Sequence, residues 1–342
     1  MMMSESGIKY GFPNPKKARP GITFQERCNH AKGCGCSYAH LPVDLIKNKT
    51  EAIKIGKEKI DKRGDLIPRE EDIERLYPDI NNVDKIENKV NFVFHLEPEI
   101  EQKLEYYSPE WREKYINFVI SVAYKIKPAG IVVHPGRRDY TTNGIERSIK
   151  GACEDLQSFI RDLQRDLQSK LVATWIGLEN RSGHMIEDLN HTERQRKKYG
   201  LLEFYENYGE KITDFGLVID VEQAYTMKKK IWNDLRKFID KVVKGHEEDR
   251  YKIHEWHLHD YNPNRRYPAH HAVGSGEIFG ISTEEDYNDV KSLLQDILRS
   301  AKKGALVLTE VPSSEDVEES INYIENVLRS EDYEDYKKSI KL

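Results

Sequence analysis

The sequence predicts an α/β fold, a single (β/α)8 TIM barrel with an atypical N-terminal segment. Three observations predict it. From about residue 90 onward, short runs rich in Val, Ile and Leu alternate with longer stretches of helical period, as repeated strand–helix units around a parallel sheet require. Each run closes on a histidine, an aspartate or a glutamate. The length of 342 residues is enough for one large barrel with a substantial core.

Residues 1–89 read as an N-terminal segment with the first strand or strands and a Cys/Gly-rich loop, 90–315 as the main barrel body with the site, and 316–342 as a C-terminal helix and tail. In the first segment "IKYGFP" and "GITFQERC" are the strand candidates, although proline, glycine and cysteine between residues 12 and 42 break any clean period. Six further strands follow: "VNFVFH", "GIVVH", "ATWIGLE", "FGLVID", "IHEWHLHD" and "GALVLTE". Between them lie amphipathic helices. "SPEWREKYINFVISVAYKIK" opens with Ser108 and Pro109, an N-cap and a first-turn proline, and "EEDYNDVKSLLQDILRSAKKG" ends in lysines and a glycine.

With 54 basic and 59 acidic residues the formal charge is −5, so no broad positive field draws the chain to nucleic acid or an anionic membrane. The opening "MMMSESGIKYGF" lacks the features of a secretory signal, and no apolar run reaches membrane-spanning length. With only 4 cysteines a disulfide scaffold is not expected, and the chain reads as a cytoplasmic protein of a reducing compartment.

The six strands end at His95, His134, Glu179, Asp220, His257 and Glu310. In a parallel barrel the C-terminal strand ends converge on the mouth, where active sites sit. A lone polar residue closing a strand is ordinary capping, but six metal-ligand side chains on six strands predict a shared site for one or two divalent ions. Carboxylates and imidazoles without thiolates suit Zn, Mn, Mg or Fe.

The motifs "VVHPG", "GLEN", "GLVID", "HLHD", "HHAVGSGEI" and "VLTEV", in this order, resemble those of the xylose-isomerase-like and endonuclease-IV-like TIM barrels, which include sugar phosphate isomerases/epimerases and family 2 AP endonucleases. The resemblance spans residues 85 to 312. It implies one metal held by Glu179, Asp220, His257 and Glu310. In the endonuclease branch a second metal is held by residues matching His95 and His134, bridged by Glu179. The match departs from the nuclease pattern at Gln223 and Pro268, where that branch has further ligands, so a complete trinuclear cluster is not expected although His270 is kept.

The resemblance implies first a metal-dependent sugar or sugar phosphate isomerase or epimerase, with Glu179 and Glu310 as base and acid across a metal-stabilised enediolate. The alternative is an endonuclease-IV-like phosphodiesterase acting on abasic DNA, and a third reading is a non-catalytic binding barrel. Arg137 and Arg138 in "HPGRRDY" could hold a phosphate, Arg181 is a candidate for a substrate anion, and His270 for a ligand or substrate contact. Within "HEWHLHDYN", strand alternation sets Glu255, His257 and His259 on the inward face, making His259 a neighbour of the metal or substrate, while Asp260 closes the strand. Cys28, His30, Cys34 and Cys36 could wrap a structural zinc, although the paired C-x2-C knuckles of zinc ribbons are missing. Cys153 reads as a small core residue. Neither the substrate nor the oligomeric state is fixed by the sequence.

Overall fold

The computed structural model describes residues 6–13, 23–43, 73–87, 89–96, 109–135, 149–180, 200–209, 212–266 and 268–340. Eight parallel strands close into a barrel in sequence order, a single (β/α)8 TIM barrel. They are β1 (Tyr10–Phe12), β2 (Tyr38–Val43), β3 (Asn91–Leu96), β4 (Gly130–Val133), β5 (Trp175–Glu179), β6 (Phe215–Asp220), β7 (Ile253–Leu258) and β8 (Leu306–Thr309). Closure leaves no strand edge unpaired, which is why such short runs suffice.

Helices interleave with the strands: α1 (Phe24–Gly33), α2 (Ile73–Leu76), α3 (Pro109–Ile126), α4 (Ile149–Ser169), α5 (Leu201–Tyr208), α6 (Val221–Met227), α7 (Trp232–Glu247), α8 (Glu284–Lys302), α9 (Ser314–Arg329) and α10 (Tyr333–Ser339). None among the described residues is long and apolar enough to cross a membrane.

The expectation for "GITFQERC" is corrected: from Phe24 it is helix α1, and the second strand is "YAHLPV". The cause is a reciprocal cap. Thr23 Oγ1 accepts the Glu26 N–H at 3.1 Å, while Glu26 Oε2 accepts the Thr23 N–H at 2.8 Å. Two of the donors that a helix start leaves unpaired are satisfied at once, which outweighs the β preference of Ile22, Thr23 and Phe24.

Two compact units share the strands, one of Met1–Ala18, Cys28–His40 and Leu217–Leu342, the other of Arg19–Arg27 and Leu41–Gly216. In the second, β3, β4 and β5 pair in register, Phe94 beside Ile131 and Ile131 beside Ile176. Helix α3 packs on α4, which buries Cys153, Leu156, Ile160, Leu163 and Leu167 at helical spacing. Cys153 is thus a core residue, and burial pushes its thiol up to about 12.

Gly130 begins β4 because the Trp175 indole lies across it: a Cβ there would sit 2.0 Å from Trp175 Cε2. Gly130→Ala is expected to displace that indole and lower stability by about 1–3 kcal/mol, read from the shift of a urea unfolding midpoint.

In the first unit, β6, β7, β8 and β1 pair in turn, and all six residues of β7 are buried, Trp256 completely. Helix α8 packs against α7 and α9. Its start is a full capping box, Thr283 with Asp286. The C-terminal tail carries α10, capped by Asp332 and anchored by buried Tyr336.

Candidate metal centre

In the unit containing β3 to β5, three strands deliver their last polar side chains to one point. His95 comes from within β3, His134 from one residue past β4, and Glu179 from the last position of β5. His95 Nε2 lies 3.1 Å from His134 Nε2 and 3.1 Å from Glu179 Oε2, and His134 Nε2 lies 3.2 Å from the same oxygen. The two imidazoles stack, with centroids 4.9 Å apart.

Such a triangle matches the donor spacing of a small divalent ion: bonds of about 2.0–2.1 Å in tetrahedral geometry give donor–donor edges of about 3.3 Å. His134 and Glu179 are buried and His95 is 15% exposed, which gives the point an approach from one side. The residues fit a metal, and the fit comes from atom positions rather than from residue types alone.

The other unit holds a second group. The ligand atoms of Asp220, His257 and Glu310 lie within 4.8 Å of one another, as do those of His259, His270 and Glu310. Asp220 is the N-cap of α6: one oxygen accepts the Gln223 N–H at 2.9 Å, and the other lies 3.2 Å from His259 Nε2. The aspartate is therefore gripped from both sides, its orientation fixed by a helix start and a histidine. His257 Nδ1 faces Glu310 Oε2 at 3.5 Å, and Glu310 is 22% exposed.

His259 is fully buried, and its two nitrogens are engaged by Asp220 and by the His270 N–H at 3.1 Å from Nδ1. Of the two neighbours expected for His259, metal ligand or substrate, the geometry has it beside Asp220, whose carboxylate its ring orients. Burial opposes its charge, but Asp220, Glu310 and Glu222 together pull its pKa up to about 9. The His270 amide aimed at Nδ1 fits only the neutral, Nε2-protonated ring. The carboxylates thus favour the charged ring, and the His270 N–H the neutral one.

The sequence reading passed over Glu222, which is buried beside Asp220 and bonded to Gln223 Nε2 at 2.9 Å and Thr226 Oγ1 at 3.0 Å. Burial first, and then Asp220, pushes its pKa above the ordinary glutamate value. The signal was present in "DVEQAY", a carboxylate in the first turn after a strand end.

His270 is held in left-handed backbone, φ 62°, with Nδ1 3.2 Å from the Glu310 carbonyl oxygen. A non-glycine residue adopts this conformation where its surroundings dictate it. The loop around His270 also packs its later backbone on Asp260. Buried beyond the end of β7, it accepts the N–H groups of Tyr261 (2.9 Å), Ile278 (2.9 Å) and Phe279 (3.4 Å) on one oxygen and those of Gly274 (3.1 Å) and Gly276 (2.8 Å) on the other. The "HHAVGSGEI" loop is wound on that carboxylate.

Arg137, Arg138 and Arg181 lie outside the described residues. Of the proposed zinc loop, Cys28 and Cys36 are buried, Cys34 is 8% exposed and points its thiol at the Ser314 carbonyl, and His30 is exposed and stacks on Phe12. Burial and Glu318 push the Cys34 thiol up to about 11. No cysteine occurs in the candidate ligand groups among the described residues.

No protein-family model matches the chain, and no curated protein matches it in sequence. Solved structures do match. The 3-keto-D-glucoside 4-epimerase YcjR from E. coli aligns with a TM-score of 0.54 at 14% identity, over 93% of this chain and 98% of that one. Endonuclease IV from Thermus thermophilus aligns with a TM-score of 0.53 at 14% identity, over 94% and 98%. An IolI protein with a bound zinc atom aligns with a TM-score of 0.50 at 9% identity, over 98% and 100%.

The fold these structures share with the chain is the (β/α)8 TIM barrel. At these identities the likeness establishes architecture, and function has to be argued from the site. Both ligand groups occur at C-terminal strand ends, the position where TIM barrels carry their chemistry.

Proposed function

We propose that the chain is a divalent-metal-dependent enzyme that hydrolyses phosphodiesters, with nucleic acid containing an abasic site as its first candidate substrate. The observation that carries this reading is the triangle of His95 Nε2, His134 Nε2 and Glu179 Oε2, with edges of 3.1, 3.1 and 3.2 Å. The sequence alone placed sugar epimerisation first. That chemistry needs one ion to chelate substrate oxygens, for which Asp220, His257 and Glu310 would serve, and it gives the second triangle no work. Hydrolysis uses a second ion, and the endonuclease branch places it on the residues matching His95 and His134.

Bound metal would bring the pKa of a coordinated water toward neutrality and offset the charge on phosphate oxygens. The chain's own residues do the rest. His95 and His134 present ring nitrogens on one side of Glu179, so the three donors need no rearrangement to accept an ion. His259 and the Gln223 amide fix Asp220 at both oxygens, which limits its freedom when substrate enters. Glu310 and His270, each 22% exposed, are the groups that reach substrate, Glu310 as the proton carrier and His270 as a contact to an anionic oxygen.

The second reading, epimerisation of a sugar or sugar phosphate, is favoured by one feature: Gln223 and Pro268 stand where the nuclease branch has further ligands. The test is metal analysis with anomalous diffraction, run alongside cleavage of a duplex containing one abasic site. The expected result is an ion at each ligand group, cleavage abolished by chelation, and recovery with zinc or manganese. An ion confined to Asp220, His257 and Glu310, with ketose epimerisation and no strand cleavage, would install the second reading.

A further inference from the structure

Beneath Asp220 and Glu310, in the same unit, a second polar layer fills the barrel interior. Glu255, with 0% of its surface exposed, accepts a hydrogen bond from Tyr38 Oη at 2.7 Å on Oε1, and His40 Nε2 lies 2.7 Å from the same oxygen. Its other oxygen, Oε2, faces His257 Nε2 at 3.6 Å. His257 then turns its remaining nitrogen, Nδ1, toward Glu310 Oε2 at 3.5 Å.

We propose that Glu255 is a positioning residue: its carboxylate, anchored by Tyr38 and His40, holds the His257 ring with the proton on Nε2 and the lone pair on Nδ1, so that His257 meets a metal through Nδ1. The proposal rests on the metal-binding reading of Asp220, His257 and Glu310.

The argument is one of exclusion between two neutral tautomers. With the proton on Nδ1, the ring would aim the Nε2 lone pair at Glu255 Oε2, two acceptors facing each other inside a dry barrel. With the proton on Nε2, that contact becomes attractive, and the acceptor pair moves to Nδ1 and Glu310, where a cation fits between. A carboxylate behind a metal-binding imidazole does this work in many metal sites, and its loss weakens binding by about 10–100-fold. Ionised Glu255 is stable there because Oε1 already holds two donors.

His40, Glu255 and His257 could also be taken for a metal site of their own, since their ligand atoms lie within 4.8 Å of one another. The 2.7 Å separation of His40 Nε2 and Glu255 Oε1 is that of a charge-assisted hydrogen bond, shorter than the donor–donor edge of about 3.3 Å around zinc. The inward residue of "HEWHLHD" is thus read as a support for the ligand two positions on.

Glu255→Gln tests the proposal. Glutamine keeps the size and an acceptor for Tyr38 and His40, but it places an amide donor against His257 Nε2, which forces the proton onto Nδ1. Long-range proton–nitrogen correlation spectra of histidine-labelled, zinc-loaded protein read the tautomer, with His257→Gln identifying the signals. The expected outcome is Nε2–H in the parent and Nδ1–H in Glu255→Gln, with cobalt(II) affinity at the Asp220 group reduced about 10–100-fold and the His95 group still loaded. A parent His257 with its proton on Nδ1 overturns the inference whether or not the variant folds. Unchanged tautomer and cobalt affinity in a folded Glu255→Gln overturn it as well, as does the loss of a separate ion from His40 and Glu255. Parent protein that takes no cobalt in a manner dependent on Asp220 defeats the metal reading itself, a result distinct from a bound ion that Glu255→Gln leaves undisturbed.

Discussion

Glu179→Gln and Asp220→Asn are each expected to abolish activity and lower metal content, the first at the His95–His134 triangle and the second at the group with His257. Both substitutions keep the shape and remove the charge. At Glu179 the change leaves two neutral imidazoles and an amide, whose oxygen is a poor donor to Zn²⁺ and whose NH2 cannot bind it at all. At Asp220 the helix start survives, because asparagine caps α6 as well as aspartate does, so loss of metal will not be confused with loss of fold.

An ion that supplies several kcal/mol of transition-state stabilisation takes with it about a thousand-fold in rate or more. Elemental analysis per chain and initial rates under saturating substrate check the two halves of this expectation. Normal metal occupancy in both variants would sink the proposed centre.

The strand-end positions of the candidate ligands were legible in the sequence, and the reason is geometric. A parallel barrel makes every strand an arrow toward the same face, so a metal-ligand residue at the end of each apolar run is a statement about position as well as chemistry. His95, His134, Glu179, Asp220, His257 and Glu310 all occur at or within two residues of such an end. Strand alternation also put Glu255, His257 and His259 on the inward face, where the structure has them bonded or facing His40, Glu310 and Asp220.

What stayed hidden depends on partners far along the chain. His40 and Tyr38 acquire meaning only through Glu255, more than 200 positions away, and the strand that carries them was obscured by the cysteines and glycines before it. The misread strand at "GITFQERC" had a local signal that was overlooked: Thr23 and Glu26 are spaced as a capping box, and this decided helix over strand. Strand alternation left His259 between two roles, and the backbone amide that occupies its Nδ1 belongs to a loop whose path no periodicity describes.

Asp260→Ala is expected to cost about 3–5 kcal/mol of stability and to detach His270 from the centre. The side chain is fully buried and accepts five backbone N–H groups, from Tyr261, Gly274, Gly276, Ile278 and Phe279. Alanine leaves those donors in a space that held a carboxylate, and each unsatisfied amide costs about 1–3 kcal/mol unless water follows it in. The loop has few ways to relax. Gly276 is pressed so closely on its neighbours that a Cβ would lie 2.4 Å from the Tyr261 carbonyl oxygen, and Gly274 sits at φ +94°. Asp260→Asn divides the effect, because its carbonyl oxygen still serves Tyr261, Ile278 and Phe279 while its NH2 meets the N–H groups of Gly274 and Gly276 head-on. Stability should therefore fall in the order parent, Asn, Ala, measured as urea midpoints at constant slope. The metal content of the folded fraction should persist in both variants, since Asp220 and His257 are held by α6 and β7 rather than by this loop. Midpoints that coincide across all three proteins would mean that solvent satisfies the five amides as well as Asp260 does. The contacts of His270 with His259 and Glu310 could then not be credited to the way this carboxylate gathers the rest of the loop.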